Sequence, residues 1–529
     1  MDKKYIVTTQ QQIIPGLKNS LGWASFRVTD GEQHVGTLPP SSAEALAAII
    51  HTSDWHICDH ESPARQEYMD RFFDSDSPYQ TVLGFIGTYR AHEAFTSHVA
   101  EVMIETLNEI DAGPVSGRKI DAVVITGDVT DNGQSNELAM YLDLLDGRKV
   151  DPSGGRAQSE WVGAAIGDKR DERYWHPEGE AQGSVDLPTR KFGFPTIPGL
   201  IDQARMPFDA VGLIHPWLSV HGNHDALLQG VVAPTPELDA LAIGDERITG
   251  FAPGQSPLEI RHAVPGIGPA NYIHLQDSPR ESVTSDTRRT FTKAGEFAQQ
   301  HLESTSLPTG HGFTQHHVDA KIAYFSFEIG QIVVLALDTV NPHGGFEGSI
   351  DEVQLSWLKE QIQLHSNRYV ILASHHPART VINDFVPAGA PRRVLGPEIL
   401  EVAYESKNVI AWINGHEHAN ELILNVGPAG QVLPEINTAS LIDWPQQARV
   451  LEFLRDTESQ SIYIASTVVN HEGLVEPNLE RLDLRDIAGI SRLLAFNDYQ
   501  RREPFTSMYR MEGTQADRNF VLRLTDPLI

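Results

Sequence analysis

Five short stretches carrying Asp, His and Asn each follow an apolar run, and this arrangement constrains the fold more than any other feature of the chain. In order they are Asp54-Trp55-His56, Gly127-Asp128, Gly222-Asn223-His224-Asp225, Ser374-His375-His376-Pro377 and Gly415-His416-Glu417-His418. The runs before them, at residues 45–50, 121–126, 217–220, 369–373 and 409–413, have the length and composition of buried strands. Longer amphipathic stretches separate the runs, with helices expected at 93–110 and 351–364, so the pattern is that of an α/β protein. Residues 323–329 and 332–337 read as a strand pair turning at Gly330, and 449–454 with 461–467 as an antiparallel pair. In α/β sheets, ligands bind in the loops beyond the carboxyl ends of the strands, so five such loops would converge on one rim.

The residue types on that rim suit a pair of metal ions. Imidazole and carboxylate bind borderline divalent ions such as Mn, Fe, Zn or Co. One shared carboxylate can hold two ions about 3.5–4 Å apart, the spacing used for phosphoryl displacement. Each motif alone is weak, because Asp-x-His and Gly-Asp are common and the chain has 23 histidines. The five together, in order and each behind an apolar run, form a specific signal.

Composition narrows the substrate. The formal net charge is -30, a surface that repels nucleic-acid backbones and anionic membranes. Hydrophobic residues make up 40% and charged residues 21%, an ordinary globular balance. The single cysteine, Cys58, forbids an intrachain disulfide and reads as a free buried thiol. No apolar run has the length of a secretory signal or a membrane span, so the expected location is the cytoplasm.

The motif series resembles that of the calcineurin-like metallophosphoesterases over residues 54–418, and segments 337–342 and 442–447 resemble a bacterial subgroup of them. The resemblance implies an α/β fold, a four-layer αββα sandwich of two mixed sheets flanked by helices. It implies a first ion held by Asp54, His56, Asp128 and His418. Asp128 bridges to a second, completed by Asn223, His375 and His416. His224 would serve the leaving group as acid or electrostatic aid, steered by Asp225. His375 is preferred to His376 as ligand because it follows its strand directly, leaving His376 to face substrate or cap the turn. The reaction implied is hydrolysis of a phosphate mono- or diester by a metal-bridging hydroxide. A small soluble ester such as a nucleotide is the expected substrate. The alternatives are a nuclease, a phospholipid phosphoesterase, or a non-catalytic scaffold of the same fold.

The remaining expectations concern organisation and neighbours of the site. Residues 1–44 read as an N-terminal extension, 45–470 as the metallophosphoesterase domain, and 471–529 as a C-terminal extension. Insertions are expected at about 135–210 and 231–312, where the chain is irregular and rich in Gly and Pro. Asp128 and Asn223 lie about 95 residues apart, which makes the pocket walls peculiar to this chain. Arg65 and Arg90 are candidates for gripping phosphate, with exposed surface positions the plainer reading. Asp59 and His60 read as neighbours of the ligands or as an exposed turn. Asp338 reads as a residue that orients a ligand histidine or caps its strand.

Overall fold

A computed structural model describes residues 8–72, 77, 79, 81, 89–153, 172–179, 185–271, 275–499 and 511–529. Parts of the two expected insertions (154–171, 180–184 and 272–274) and of the two extensions (1–7 and 500–510) lie outside the described residues.

Twelve strands build two six-stranded mixed sheets. The strands are β1 (Glu44–Thr52), β2 (Ala122–Ile125), β3 (Trp217–Ser219), β4 (Phe325–Ile329), β5 (Ile332–Ala336), β6 (Tyr369–Ala373), β7 (Val409–Asn414), β8 (Glu421–Val426), β9 (Val432–Asn437), β10 (Gln447–Asp456), β11 (Ser461–Asn470) and β12 (Phe520–Thr525). The first sheet runs β12-β11-β10-β1-β2-β3 and the second β4-β5-β6-β7-β9-β8. Neighbours β1, β2 and β3 are parallel, as are β5, β6, β7 and β9, whereas the outer pairs are antiparallel. All five motifs therefore sit at carboxyl ends of parallel strands, with Thr52 level with Ile125 and Ala373 level with Ile413.

Alternation of side chains along each strand explains the layering. In β5 and β6, Val334, Ala336, Ile371 and Ala373 join the large core shared with β1, β2, β10 and β11. Their neighbours Val333, Leu335, Val370 and Leu372 face the opposite way, onto α4 (Glu352–Leu364) and α5 (Gly396–Glu405) through Leu358, Ile362 and Ile399. Helices α1 (Thr96–Asn108) and α2 (Ser135–Asp146) pack into the first sheet's core with Val99, Met103, Leu138 and Tyr141. A third helix, α3 (Ala294–Glu303), adds Phe297 to that core, and α6 (Leu484–Phe496) lies against α1. The result is two mixed sheets flanked by helices. Full burial of each aliphatic side chain contributes about 1.5–3 kcal/mol, so this core holds both sheets firmly.

Two elements extend the core beyond the expected limits. Helix α2 lies inside the segment 135–210, yet its Leu138, Tyr141, Leu144 and Leu145 are fully buried in the main core. Strand β12 lies inside the segment 471–529, yet it pairs with β11 along Ser461–Ser466. Among the described residues, no helix is long and apolar enough to cross a membrane.

Candidate metal centre

The motif loops bend in a way that ordinary side chains resist. Asp54, His56, Asp128, His416 and His418 all have φ between 48° and 70°, in the left-handed region that costs most non-glycine residues energy. Local bonds hold these turns. The Asp54 and His56 amides donate to the carbonyls of Gly127 and Asp128 at 3.0 and 2.9 Å. The His416 amide donates to the Asp54 carboxylate at 3.0 Å, and the Gly415 amide to the His375 carbonyl at 3.0 Å. The two sheets are thus stitched together at the site itself. Close approach is possible because glycine stands at the crossings. A Cβ on Gly222 would lie 2.2 Å from Asp128 Oδ1, and one on Gly415 2.3 Å from Asp54 Oδ2.

Strain at these loops brings the donors into one cluster. His375 Nε2 is 3.1 Å from Asp128 Oδ2, and His418 Nε2 is 3.2 Å from Asp54 Oδ1. His56 Nε2 lies 3.2 Å from His418 Nε2, and His416 Nδ1 lies 3.2 Å from His375 Nε2. The sets Asp54/His56/His418, Asp54/Asp128/His375 and His56/Asp128/His224 each place their ligand atoms within 4.8 Å of one another. Asn223 donates its Nδ2 to the Gly230 carbonyl at 3.0 Å, while its buried Oδ1 has no hydrogen-bond partner. Such an orphaned acceptor is costly unless something cationic meets it. With its carboxylates, imidazoles and one amide oxygen, the set fits a pair of divalent ions.

Three of the histidines are each aimed by a bond on the other ring nitrogen. His56 Nδ1 donates to Asp131 Oδ1 at 3.1 Å, His418 Nδ1 to Asp443 Oδ2 at 2.6 Å, and His375 Nδ1 to the Thr126 carbonyl at 2.9 Å. All three therefore present Nε2 to the cluster, whereas His416 presents Nδ1. The electrostatics demand positive charge there. Burial works against the His375 and His418 charges, yet Asp128 and Asp54 push His375 up to about 9, and Asp54 and Asp443 do the same for His418. Burial would raise both carboxylates. The charges of His418 and His375 lower Asp54 instead, and those of His375 and His224 hold Asp128 well below its usual range. Burial and the neighbouring His376 and His375 push His416 well below its ordinary value.

Not every residue singled out in the sequence plays the part expected. Asp225 does not steer His224. Its carboxylate accepts the Thr130 amide at 2.9 Å and the Gly222 amide at 2.8 Å, which ties the loop ends together. The His224 ring is held instead by the Asp131 carbonyl, which accepts Nδ1–H at 2.7 Å. Burial pushes His224 down to about 4 despite the Asp128 charge, so the ring is neutral near pH 7. His376 has both nitrogens engaged, Nδ1 with Thr339 Oγ1 at 2.7 Å and Nε2–H with the Phe346 carbonyl at 3.0 Å. Asp338 orients a histidine, but it is His221, at 3.1 Å, and not a candidate ligand.

Arg65 and Arg90 are neither surface residues nor open to phosphate. Arg65 is buried against Asp131, Glu93 and Glu67, and Arg90 grips Asp443. Asp59 and His60 are buried as well, with Asp59 paired to Arg289 at 2.6 Å. Cys58 is buried as expected, and desolvation raises its thiol well above the ordinary value. Sequence reasoning missed Asp131 and Asp443. The first lies three residues after Asp128 on the same loop, and the second lies in the segment 442–447 that the family resemblance had marked.

Residues 186–420 match the family model of calcineurin-like phosphoesterases. That span includes Asn223, His224, His375, His416 and His418, while Asp54, His56 and Asp128 precede it and join it only in three dimensions. The mixed sheets flanked by helices are the calcineurin-like metallophosphoesterase fold. Among solved structures, a dimetal phosphatase from Danio rerio is similar at 12% identity and a TM-score of 0.33, over 81% of this chain and 100% of its own. No curated protein matches the chain.

Proposed function

We propose that this chain, whose residues 186–420 carry a calcineurin-like phosphoesterase domain, is a dinuclear metal-dependent hydrolase of a small phosphate ester. The observation that supports the reading most is the convergence of Asp54, His56, Asp128, His375, His416 and His418, with the orphaned Asn223 Oδ1 on the loop whose His224 amide meets Asp128. Asp54, His56, Asp128 and His418 would hold one ion, and Asp128, Asn223, His375 and His416 the other. The ions would be drawn from Mn, Fe, Zn and Co. When bound, they supply charge neutralisation on the phosphoryl oxygens and a lowered pKa for an attacking water.

The chain's own residues do the rest. Asp128 uses both oxygens, with Oδ1 accepting the His224 amide at 2.8 Å and Oδ2 facing His375. Because Asp128 is the shared carboxylate, the His224 loop is indexed directly to the centre. His224 keeps its Nδ1 proton on the Asp131 carbonyl, which leaves Nε2 as an acceptor. It therefore holds or passes a proton at Nε2 and does not wait as an imidazolium. Gly230 makes room for that nitrogen, since a Cβ there would lie 2.3 Å from His224 Nε2. The side chains of Asp54, His56, Asp128 and His375 are almost wholly buried, and His224 remains partly open at 17%. His416 is partly open as well, so substrate approaches over the His224 and His416 rings. The net charge of -30 favours a compact ester over a polyanionic strand.

Metal-stripped protein should be assayed on bis-p-nitrophenyl phosphate and p-nitrophenyl phosphate, with Mn, Zn, Fe(II), Mg and Co restored singly. Metal-dependent turnover is expected, and the diester-to-monoester ratio then narrows the substrate class. Protein that neither binds metal nor turns over either ester would overturn the reading.

A further inference from the structure

Behind Asp54, His56 and His418, hydrogen-bonded polar groups run in a closed ring, within which burial pushes the Glu93 carboxyl up to about 8. His418 Nδ1 donates to Asp443 Oδ2 at 2.6 Å. Arg90 grips the same carboxylate twice, Nε–H to Oδ1 at 2.9 Å and Nη2–H to Oδ2 at 3.2 Å. The backbone N–H of Arg90 donates to Glu93 Oε2 at 3.0 Å, and the same oxygen accepts Arg65 Nη2–H at 2.8 Å. Arg65 Nη1–H reaches Asp131 Oδ2 at 2.6 Å, and Asp131 Oδ1 meets His56 Nδ1–H at 3.1 Å. The ring closes at the front, where His56 Nε2 and His418 Nε2 stand 3.2 Å apart. Glu93 is 5% exposed, Arg65 3%, Asp131 3% and Asp443 1%.

We propose that Glu93 is a positioning residue for the ion held by His56 and His418. This inference rests on the dinuclear reading above. Glu93 lies outside every metal motif, just ahead of α1, yet its Oε2 accepts both the Arg65 guanidinium and the backbone N–H of Arg90. Its chemistry follows from that place. A carboxylate behind a ligand histidine fixes the tautomer and strengthens Nε2 as a donor. Each such carboxylate, Asp131 and Asp443, is itself held by an arginine, and Glu93 sets the distance between the two arginines. A buried network of this kind does little for net stability, because desolvation consumes the Coulombic gain. What it does provide is orientation, since Arg65 is held at once by Asp131 and Glu93, and Arg90 by Asp443 through its side chain and Glu93 through its backbone.

The other half of the centre has no such ring among the described residues. His375 Nδ1 rests on the Thr126 carbonyl and Asn223 Nδ2 on the Gly230 carbonyl, both backbone groups. Loss of Glu93 should therefore affect one ion and spare the other.

The test is a Co(II) titration of the metal-free full-length chain, followed by its visible absorption and by metal analysis. Wild type, Glu93→Gln and Arg289→Gln would be compared, the last breaking an equally buried ion pair, Arg289–Asp59, outside the ring. Wild type should bind two ions. Glu93→Gln should weaken one of them about 10–100-fold and leave the other within about threefold, with activity restored by excess metal. Arg289→Gln should titrate like wild type. Should Glu93→Gln fail to fold, Arg90→Lys, which removes the bidentate grip on Asp443, carries the same expectation. Unchanged affinity for both ions in the ring variant overturns the inference alone, and so does an equal weakening of both ions that Arg289→Gln reproduces. Wild type that binds no ion overturns the phosphoesterase reading and the inference with it.

Discussion

Asp128 Oδ1 accepts the backbone N–H of His224 at 2.8 Å. The carboxylate proposed as the shared ligand thus also sets the position of the residue proposed to handle the proton. The two loops involved follow β2 and β3, which are adjacent and parallel, so the sheet itself delivers this contact. Removal of either partner should therefore disturb both metal and proton chemistry.

Asp128→Asn keeps the size of the side chain and removes its charge. Turnover should fall about 10²–10³-fold, a loss of the size seen when one charge-stabilising group is removed, and bound metal should drop from two ions toward one. Steady-state kinetics with metal analysis checks this. Two tightly bound ions together with near wild-type turnover would remove Asp128 from the shared position.

Gly222→Ala tests the close approach. The backbone φ of Gly222 is -114°, which any residue adopts, so the effect is purely one of space. A methyl would lie 2.2 Å from Asp128 Oδ1 and 2.3 Å from the Asp128 amide nitrogen, and the latter cannot swing aside. Thermal denaturation should show a loss of about 1–3 kcal/mol, and metal binding should collapse. An unchanged melting temperature with full metal content would mean the loops are looser than the geometry implies.

Asp225→Asn separates loop tying from proton chemistry. Asp225 accepts from Gly222 N and from Thr130 N and Oγ1, and burial with the nearby Asp128 charge raises it to about 6. The variant should lose about 1–3 kcal/mol of stability. The dependence of kcat on leaving-group pKa should keep its slope. A steeper slope, with poor leaving groups suffering most, would restore Asp225 to a role in steering His224.

Glu101 on α1 gives a pH signature away from the centre. Burial raises its carboxyl to about 7, with Glu105 adding to the shift, while Oε1 accepts the Val211 amide at 2.8 Å. A raised carboxyl binds its proton more tightly in the folded state. Its contribution is thus fully present below the unfolded value near 4.5 and is lost as pH rises through about 7. Glu101→Gln keeps the bond to Val211 and removes the titration. The two proteins should melt alike near pH 4.5, and the variant should be the more stable by about 1–2 kcal/mol above pH 7.5, allowing for solvent screening. Parallel melting curves at every pH would show that Glu101 titrates normally.

Much of this protein was legible in the chain. The apolar runs at 45–50, 121–126, 217–220, 369–373 and 409–413 all became strands, since each needs only local hydrophobicity to announce itself. The strand pair around Gly330 and the pair at 447–470 were equally plain. Strand β12 was not, because its partner lies some 60 residues away in sequence and only Phe520 and Val521 of its six residues are buried. Helix α2 was lost inside a segment read as an insertion. Its weak periodicity shows its meaning only when Leu138 and Tyr141 meet the first sheet.

The sequence by itself determined where the five motif loops fall, because strand ends and the residues just past them are set by short-range pattern. Asp54, His56, Asp128, Asn223, His375, His416 and His418 stand in those loops, and their proposed roles as ligands come from the family resemblance. Only the tertiary structure decided which nitrogen of each histidine faces the cluster, and what holds the other. It moved the grip on His224 from Asp225 to Asp131 and turned Arg65 and Arg90 from candidate phosphate ligands into members of a buried ring. His56 meets His418 across 362 positions, and Arg90 meets Asp443 across 353. Ring orientation depends on hydrogen bonds between such distant segments, and those bonds exist only once both sheets have packed.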